Sequence, residues 1–223
     1  MPEMRLYFDF DNTLTAGDVL DDVIATFSPD ERWRRWEEAW MQGCISARDC
    51  LRAQVGALRV TREALLRHLA PVRIDPAFPG ILAWARRRGV EVSIVSDSFV
   101  PLIQPILRNN GIRGVRVLAN ELSFAGDRLV PSFPHYDPAF PRSANAKARH
   151  LARRRAATNV FAGDGRSDLD AALAADIVFA KDILARELAA RRVGYRPFET
   201  LAPVLEFLEA SGLGQALAAA ASA

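Results

Sequence analysis

The stretch Leu6-Tyr7-Phe8-Asp9-Phe10-Asp11-Asn12-Thr13 joins a short apolar run to a cluster of carboxylates. The apolar run predicts a buried strand that ends at Asp9. Further apolar strands are predicted at 90–95, 115–119, 159–162 and 177–180, and a hairpin at 122–124 and 128–130. Helical patterns, among them one at 143–155, alternate with the strands. This alternation predicts an α/β protein whose parallel sheet is covered by helices on both faces. Because ligands bind at the carboxyl ends of such strands, Asp9 and Asp11 are candidate site residues.

The segment between the first strand and the rest of the sheet carries only helical periodicity. We therefore expect a small helical domain at 17–73, inserted into a core domain made of 1–16 and 74–223. Trp33, Trp36 and Trp40 share one helix face in this insertion, which favours packing inside the bundle over substrate contact.

The composition excludes several classes of protein. The chain has 223 residues, of which 50% are apolar and 25% are charged, so a mainly disordered chain is excluded. A net charge of +2 does not indicate a nucleic-acid partner. No apolar run approaches ~18 residues, and no signal sequence is visible, so we expect a cytoplasmic protein without a membrane partner. Both a monomer and a homodimer fit the sequence.

A second acidic cluster, Gly163-Asp164-Gly165-Arg166-Ser167-Asp168, follows another predicted strand. Two carboxylates four residues apart fit either a capped turn or a site that shares a cation with Asp9 and Asp11. Oxygen ligands suit Mg²⁺, which proteins bind through few carboxylates together with water and substrate phosphate. Ser96, at the end of the predicted strand 90–95, is either a helix cap or a ligand for a phosphate oxygen.

Lysine is rare in this chain, because 27 of the 29 basic residues are arginine. Arginine excess is expected of a GC-rich genome, and a single lysine is usually a solvated side chain. A site that needs a compact ammonium rather than a planar guanidinium retains lysine, however, which singles out Lys147 near a helix start. Lys181 is interpreted as a surface or strand-end residue.

Four elements in order resemble the haloacid dehalogenase superfamily of phosphatases: DFDNT at 9–13, the serine of SIVSDS at 93–98, Lys147, and GDGRSD at 163–168. The inserted helices resemble the cap of the phosphoserine-phosphatase-like branch, which also includes the 2-hydroxy-3-keto-5-methylthiopentenyl-1-phosphate phosphatases. The resemblance implies a Rossmann-like parallel sheet core with a small inserted helical cap of the C1 type.

The resemblance also implies a mechanism and its residues. Asp9 is the expected nucleophile and Asp11 the expected general acid and base. The remaining implied roles are Mg²⁺ binding by Asp9, Asp11, Asp164 and Asp168, and phosphate binding by Ser96, Asp97 and Lys147. The expected activity is Mg²⁺-dependent hydrolysis of a small phosphorylated metabolite through an aspartyl-phosphate. A phosphotransferase, a phosphoserine phosphatase and a non-catalytic binding protein are the alternatives.

The cap determines the substrate in this branch. Asp18 occupies the position where phosphoserine phosphatases bind the substrate amine with a glutamate, and Gln54 aligns with the arginine that binds the substrate carboxylate. A glutamine forms no charged bidentate pair with a carboxylate, so either Arg48 or Arg52 compensates or the substrate is not phosphoserine. The expected substrate-contacting residues are Asp18, Gln54, Arg48 and Ser167.

Overall fold

The computed structural model describes residues 3–152 and 157–210, which form one mostly parallel sheet flanked by helices. The described strands lie in the order β4-β3-β2-β1-β5-β6-β7. Their bounds are β1 Glu3–Phe8, β2 Glu91–Phe99, β3 Arg116–Ala125, β4 Arg128–Ser132, β5 Ala157–Gly163, β6 Ile177–Ala180 and β7 Arg196–Pro197. The central strand β1 pairs in parallel with β2 and β5. The predicted α/β fold with a Rossmann-like parallel core is therefore confirmed.

Ten α-helices lie in the described part of the chain. They are α1 Val19–Phe27, α2 Arg32–Met41, α3 Ala47–Ala57, α4 Arg62–Leu69, α5 Phe78–Arg88, α6 Val100–Asn109, α7 Lys147–Ala152, α8 Leu169–Ala174, α9 Asp182–Ala190 and α10 Ala202–Ala210. Side chains of Asp18, Ser46 and Thr61 accept hydrogen bonds from the first-turn amides of α1, α3 and α4. Such caps satisfy amides that have no partner within the helix, which explains why these helices begin where they do.

Helices α1 to α4, here called the cap, lie between β1 and α5 in the sequence, and the two ends of this segment meet. Thr15 and Ile74 form an isolated antiparallel bridge, and the amide of Asp75 donates to the carbonyl of Leu14 at 2.8 Å. This pairing supports an insertion at 17–73, although those domain boundaries stay a prediction. Helix α2 differs from the other cap helices because none of its residues is fully buried.

Strand β3 differs from its prediction. Two separate strands were expected, at 115–119 and 122–124, but the structure has one continuous strand from Arg116 to Ala125. Its first half pairs in parallel with β2, and its second half forms an antiparallel hairpin with β4. No glycine or proline interrupts this stretch, so the strand changes partner without ending.

The β3–β4 hairpin of the core contacts one side of the cap through backbone hydrogen bonds. The amide of Val60 donates to the carbonyl of Asp127 at 2.9 Å, and Arg59 forms an antiparallel bridge with Arg128. A third attachment lies further along the core, where the Ala47 amide donates to the Pro141 carbonyl at 2.8 Å. The start of α3 and the link from α3 to α4 are therefore held in place on this side.

None of the helices in the described ranges is long and apolar enough to cross a lipid bilayer.

Candidate active site

The three predicted polar clusters meet at one edge of the sheet, because β1 lies between β2 and β5. They border a cavity of about 370 Å³ that the core and the cap enclose together. The core side of the cavity is lined by Asp9, Asp11, Ser96, Asp97, Ser98, Lys147, Asp164, Gly165, Arg166, Ser167 and Ile183. The cap side is lined by Asp18, Leu20, Asp21, Glu37, Trp40, Met41, Ala47, Cys50 and Leu51.

A buried lysine joins two of the acidic clusters. Lys147 Nζ donates to Asp9 Oδ1 and to Asp168 Oδ1, each at 2.7 Å, and to Ser167 Oγ at 3.3 Å. The lysine is only 2% exposed. Burial alone lowers the pKa of a lysine, but the charges of Asp168 and Asp9 outweigh it and hold the pKa of Lys147 well above its ordinary value. The ammonium is therefore permanently charged beside Asp9.

The loop before Lys147 is held by the end of β2. Asp97 Oδ1 accepts from the Ser143 hydroxyl at 2.6 Å, and Asp97 Oδ2 accepts from the Ala144 amide at 2.7 Å. Asn145 donates to the carbonyls of Ser96 and Leu118. These contacts keep the loop out of helical geometry, so α7 begins at Lys147 rather than at Ser143 as its sequence predicts. Residues 153–155 of that predicted helix lie outside the described residues.

This arrangement gives the Asp97 side chain a structural role, so the phosphate contact implied at this position stays a prediction for its backbone amide. Both of its carboxylate oxygens are engaged by the loop at 143–144, and a carboxylate repels a phosphate. Its side chain positions the segment that carries Lys147, so we do not retain the Asp97 carboxylate as a phosphate ligand.

Asp168 positions both Lys147 and the loop that carries Asp164. Its Oδ2 accepts hydrogen bonds from the amides of Asp164 and Gly165, each at 3.0 Å, while Oδ1 accepts from Lys147. The side chain is 0% exposed. Both oxygens are thus used by protein groups, which indicates a positioning role rather than a direct bond to a metal ion.

Gly163 leaves the space in which Asp168 lies. A Cβ at this position meets Asp168 Cγ at 2.7 Å and Phe161 Cε1 at 2.8 Å, and both neighbours are buried. We expect Gly163→Ala to lower the free energy of unfolding by about 1–3 kcal/mol, because neither neighbour is free to move away. Urea denaturation measures this loss. The matched control is Gly165→Ala, whose Cβ lies 3.7 Å from the nearest side-chain atom. Equal stability of the two variants contradicts the prediction.

Three carboxylates surround a candidate metal site. Oxygens of Asp9, Asp164 and Asp168 lie within 4.8 Å of one another. Thr13 and Asn12 orient Asp164 by donating to its two oxygens at 3.0 and 2.9 Å. Burial and the charge of Asp168 raise the pKa of Asp164 to about 6, and the same two causes raise the pKa of Asp9 well above its ordinary value. One ammonium against three carboxylates leaves a negative excess that a divalent cation with oxygen ligands fits.

Asp11 lies apart from that cluster, at the N-terminus of α1. Its Oδ1 accepts hydrogen bonds from the amides of Val19 at 3.0 Å and Leu20 at 3.3 Å. Burial and the charge of Asp18 raise the pKa of Asp11 well above its ordinary value. A raised pKa favours the protonated form that a general acid needs.

Two serines, separated by Asp97, lie near the end of β2. The buried Ser96 hydroxyl accepts a hydrogen bond from the Ser98 amide at 3.0 Å and lines the cavity. The Ser98 hydroxyl is buried too, at 1% exposure, and has no hydrogen-bond partner among the described residues. Ser98 was not among the predicted site residues, although it follows the predicted strand that carries Ser96. A buried hydroxyl without a partner in a cavity wall is expected to bind a ligand.

The cap residues expected to contact substrate divide into two groups. Asp18 lines the cavity, and so does Ser167 on the core side. Gln54 is buried inside the cap, where it donates to Glu37 Oε2 and to the Trp33 carbonyl. Arg48 stacks over the ring of Tyr136 and pairs with Asp49. Gln54 and Arg48 lie outside the cavity wall, so neither is in place to contact a substrate there.

The prediction that the tryptophans of α2 pack inside the cap holds only in part. Trp33 packs against the core cluster, as the spacing favours, but Trp40 lines the cavity. The cavity wall around Trp40 carries the carboxyl groups of Asp18 and Asp21. Partial removal from water is the main cause that raises the pKa of each to about 6.

Comparison of the sequence with known protein families identifies the class of enzyme to which the chain belongs. The family model of the haloacid dehalogenase-like hydrolases matches residues 6–173, so the chain belongs to that family of hydrolases.

Several proteins that are similar to this chain are named phosphatases. The chain is 26% identical over 214 residues to a 2-hydroxy-3-keto-5-methylthiopentenyl-1-phosphate phosphatase of Exiguobacterium sibiricum, covering 92% of this chain and 96% of the relative. It is 24% identical over 168 residues to the chloroplastic phosphoserine phosphatase of Arabidopsis thaliana, covering 74% of this chain and 57% of that protein. A solved structure described as a phospho-aspartyl intermediate analogue of phosphoserine phosphatase shares the fold, with a TM-score of 0.70, 19% identity, and coverage of 93% and 99%.

Proposed function

We propose that this protein is a Mg²⁺-dependent phosphatase that hydrolyses the phosphomonoester of a small metabolite through an aspartyl-phosphate on Asp9. The observation that carries the proposal is the buried Lys147, which holds Asp9 at 2.7 Å in a cavity of about 370 Å³. A cavity of this size fits a small phosphorylated molecule. The names of the relatives support the same activity.

The first step forms the covalent intermediate. A carboxylate oxygen of Asp9 attacks phosphorus, and the bond from phosphorus to the alcohol oxygen breaks. Asp11 gives a proton to the departing alcohol, and its raised pKa favours the protonated form that this step needs. Lys147 and the Ser96 hydroxyl bind the phosphoryl oxygens, and Ser98 and Ser167 are further candidates for these contacts.

The second step releases phosphate. Asp11, now a carboxylate, takes a proton from water, and the water oxygen attacks phosphorus. The bond between phosphorus and the Asp9 oxygen breaks, which restores the free carboxylate. Asp9 and Asp164 are the carboxylates that would hold Mg²⁺. The Asp11 backbone carbonyl is the third protein ligand that the family resemblance implies. Mg²⁺, when bound, neutralises negative charge on the phosphoryl oxygens.

Hydrolysis of p-nitrophenyl phosphate tests the proposal. We expect turnover with Mg²⁺, its loss on addition of EDTA, and its return with excess Mg²⁺. An acid quench during turnover of a ³²P-labelled ester is expected to leave label on the protein, because an acyl phosphate survives brief acid treatment. Hydrolysis of p-nitrophenyl acetate is the control for general esterase activity. A protein that cleaves no phosphoester at any Mg²⁺ concentration contradicts the proposal.

A further inference from the structure

The two ends of the cavity carry opposite chemistry. Lys147 faces Asp9 at the core end. At the cap end, the carboxylates of Asp18, Asp21 and Glu37 lie in the wall. None of the cap residues that line the cavity is basic, over the ranges that the structure describes. These three carboxylates also form no ion pair with any described residue, so a cationic ligand would meet no competing protein cation at this end.

Glu37 is held so that part of its carboxylate is left for a ligand. Its Oε2 accepts from Gln54 Nε2 at 3.0 Å and from the Cys50 thiol at 3.8 Å. Gln54 is only 1% exposed and is therefore a fixed support. Both hydrogen bonds that Glu37 makes with described residues go to Oε2, which leaves Oε1 for another partner.

An aromatic side chain lies in the same wall. Trp40 lines the cavity from α2, one turn along the helix from Glu37, and Met41 follows it. A tryptophan ring attracts cations to its face, and combined with carboxylates it is the usual means of binding an ammonium group. The ring, the thioether and Leu51 also give the wall an apolar surface, which suits methyl or methylene groups.

The cavity shows a separate sign that it receives a polar ligand. The Ser98 hydroxyl lines it, is 1% exposed, and has no hydrogen-bond partner among the residues described. Buried hydroxyls are nearly always paired, so this group is expected to find its partner in the bound molecule. The acidic wall thus belongs to a cavity that is built for a ligand.

We propose that the substrate is the phosphate ester of an amino alcohol, whose cationic nitrogen lies against Glu37, Asp21 and Trp40 and which bears no carboxylate. This inference rests on the proposed phosphatase function and names its substrate class. The amine is primary or quaternary, and the test below separates the two. The inference also gives Asp21 and Glu37 the role of determining specificity.

Arg166 does not change this conclusion. It lines the cavity from the short turn Arg166–Asp168 of the core, next to Asp164. Arg166 therefore belongs to the core side of the cavity, together with Lys147 and Asp164. A substrate carboxylate at the cap end meets three carboxylates and no cation, because Arg48 and Arg52 both pair with Asp49 and stack on rings outside the cavity.

A set of esters that differ in charge tests the inference. Phosphoethanolamine and phosphocholine are compared with 3,3-dimethylbutyl phosphate, the neutral isostere of phosphocholine, and with the carboxylates phosphoserine and phosphoglycolate. We expect kcat/KM for at least one cationic ester to exceed that for the neutral isostere by about 10- to 100-fold, as a charge-assisted contact predicts. An equal or higher value for the neutral isostere or for either carboxylate overturns the inference.

A variant pair assigns the effect to the cap. Glu37→Gln keeps the size of the side chain and removes its charge, and is expected to lower the ratio of cationic to neutral kcat/KM by about 10-fold or more. Glu38→Gln is the control, because Glu38 is exposed on the same helix and does not line the cavity. The inference fails if both variants keep the wild-type ratio.

Binding separates failure of this inference from failure of the proposed function. Titration calorimetry with phosphoethanolamine, phosphocholine and 3,3-dimethylbutyl phosphate measures affinity in addition to turnover. Tighter binding of the cationic ester without turnover of any ester retains the inference for the cavity and rejects the phosphatase. Turnover without a preference for the cation, in rate or in binding, rejects the inference alone.

Discussion

The Asp9→Asn variant is expected to hydrolyse p-nitrophenyl phosphate at least about 10³-fold more slowly than the wild-type protein. An amide oxygen is a poor nucleophile, and the neutral side chain no longer pairs with the Lys147 ammonium at 2.7 Å. The change keeps the size of the side chain, which matters at a position that is almost fully buried. The loss of rate therefore reports chemistry and not packing.

Two further measurements make that result decisive. The melting temperature of the metal-free variant is expected to equal or exceed that of the wild type, because the substitution removes one of three crowded carboxylates. The ³²P label left after acid quenching is expected to disappear. A variant that keeps more than a tenth of the wild-type rate, or that still takes up label, rules out Asp9 as the nucleophile.

Lys147→Arg is expected to lower kcat/KM by about 100-fold or more, although both side chains are cationic. Lys147 is 2% exposed, and its Nζ reaches three acceptors from one point. A planar guanidinium is larger and directs its donors in a fork, so it does not reproduce these contacts without displacing Asp9 or Asp168.

The other lysine of the chain is the matched control. Lys181 contacts the Glu199 carbonyl at the surface and lies over the ring of Phe198, so Lys181→Arg is expected to leave kcat/KM unchanged. Near-wild-type activity of Lys147→Arg means that charge alone suffices at that position. The comparison also separates the functional lysine from the arginine-rich composition of the whole chain.

The core of the site was predictable from the sequence, because its motifs lie at the ends of strands. Asp9 follows β1, Ser96 lies near the end of β2, and Asp164 follows β5. Parallel strands bring such ends to one edge of a sheet, so three distant segments converge without any knowledge of side-chain packing. Lys147 was found by another signal, the rarity of lysine in the chain.

The residues on the cap side of the cavity were not predictable in the same way. Periodicity shows that the tryptophans of α2 share a face, but not that part of this face borders the cavity. Alignment placed Gln54 at a substrate-binding position, whereas the structure uses it to hold Glu37. The direction of Asp97 likewise depends on a loop 46 residues further along the chain, which it contacts through Ser143. Contacts of this kind are set by tertiary packing and leave no pattern in the local sequence.

The uneven burial of the cap helices has a consequence for access to the nucleophile. Helix α2 contributes Trp40 and Met41 to the outer wall but has no fully buried residue, whereas α1 and α3 each bury four. A helix with so little apolar anchoring unfolds locally at a lower free energy than its neighbours. We therefore expect solvent and ester to reach Asp9 when α2 unfolds locally. The side of the cap that is hydrogen-bonded to the β3–β4 hairpin is expected to stay folded during these openings.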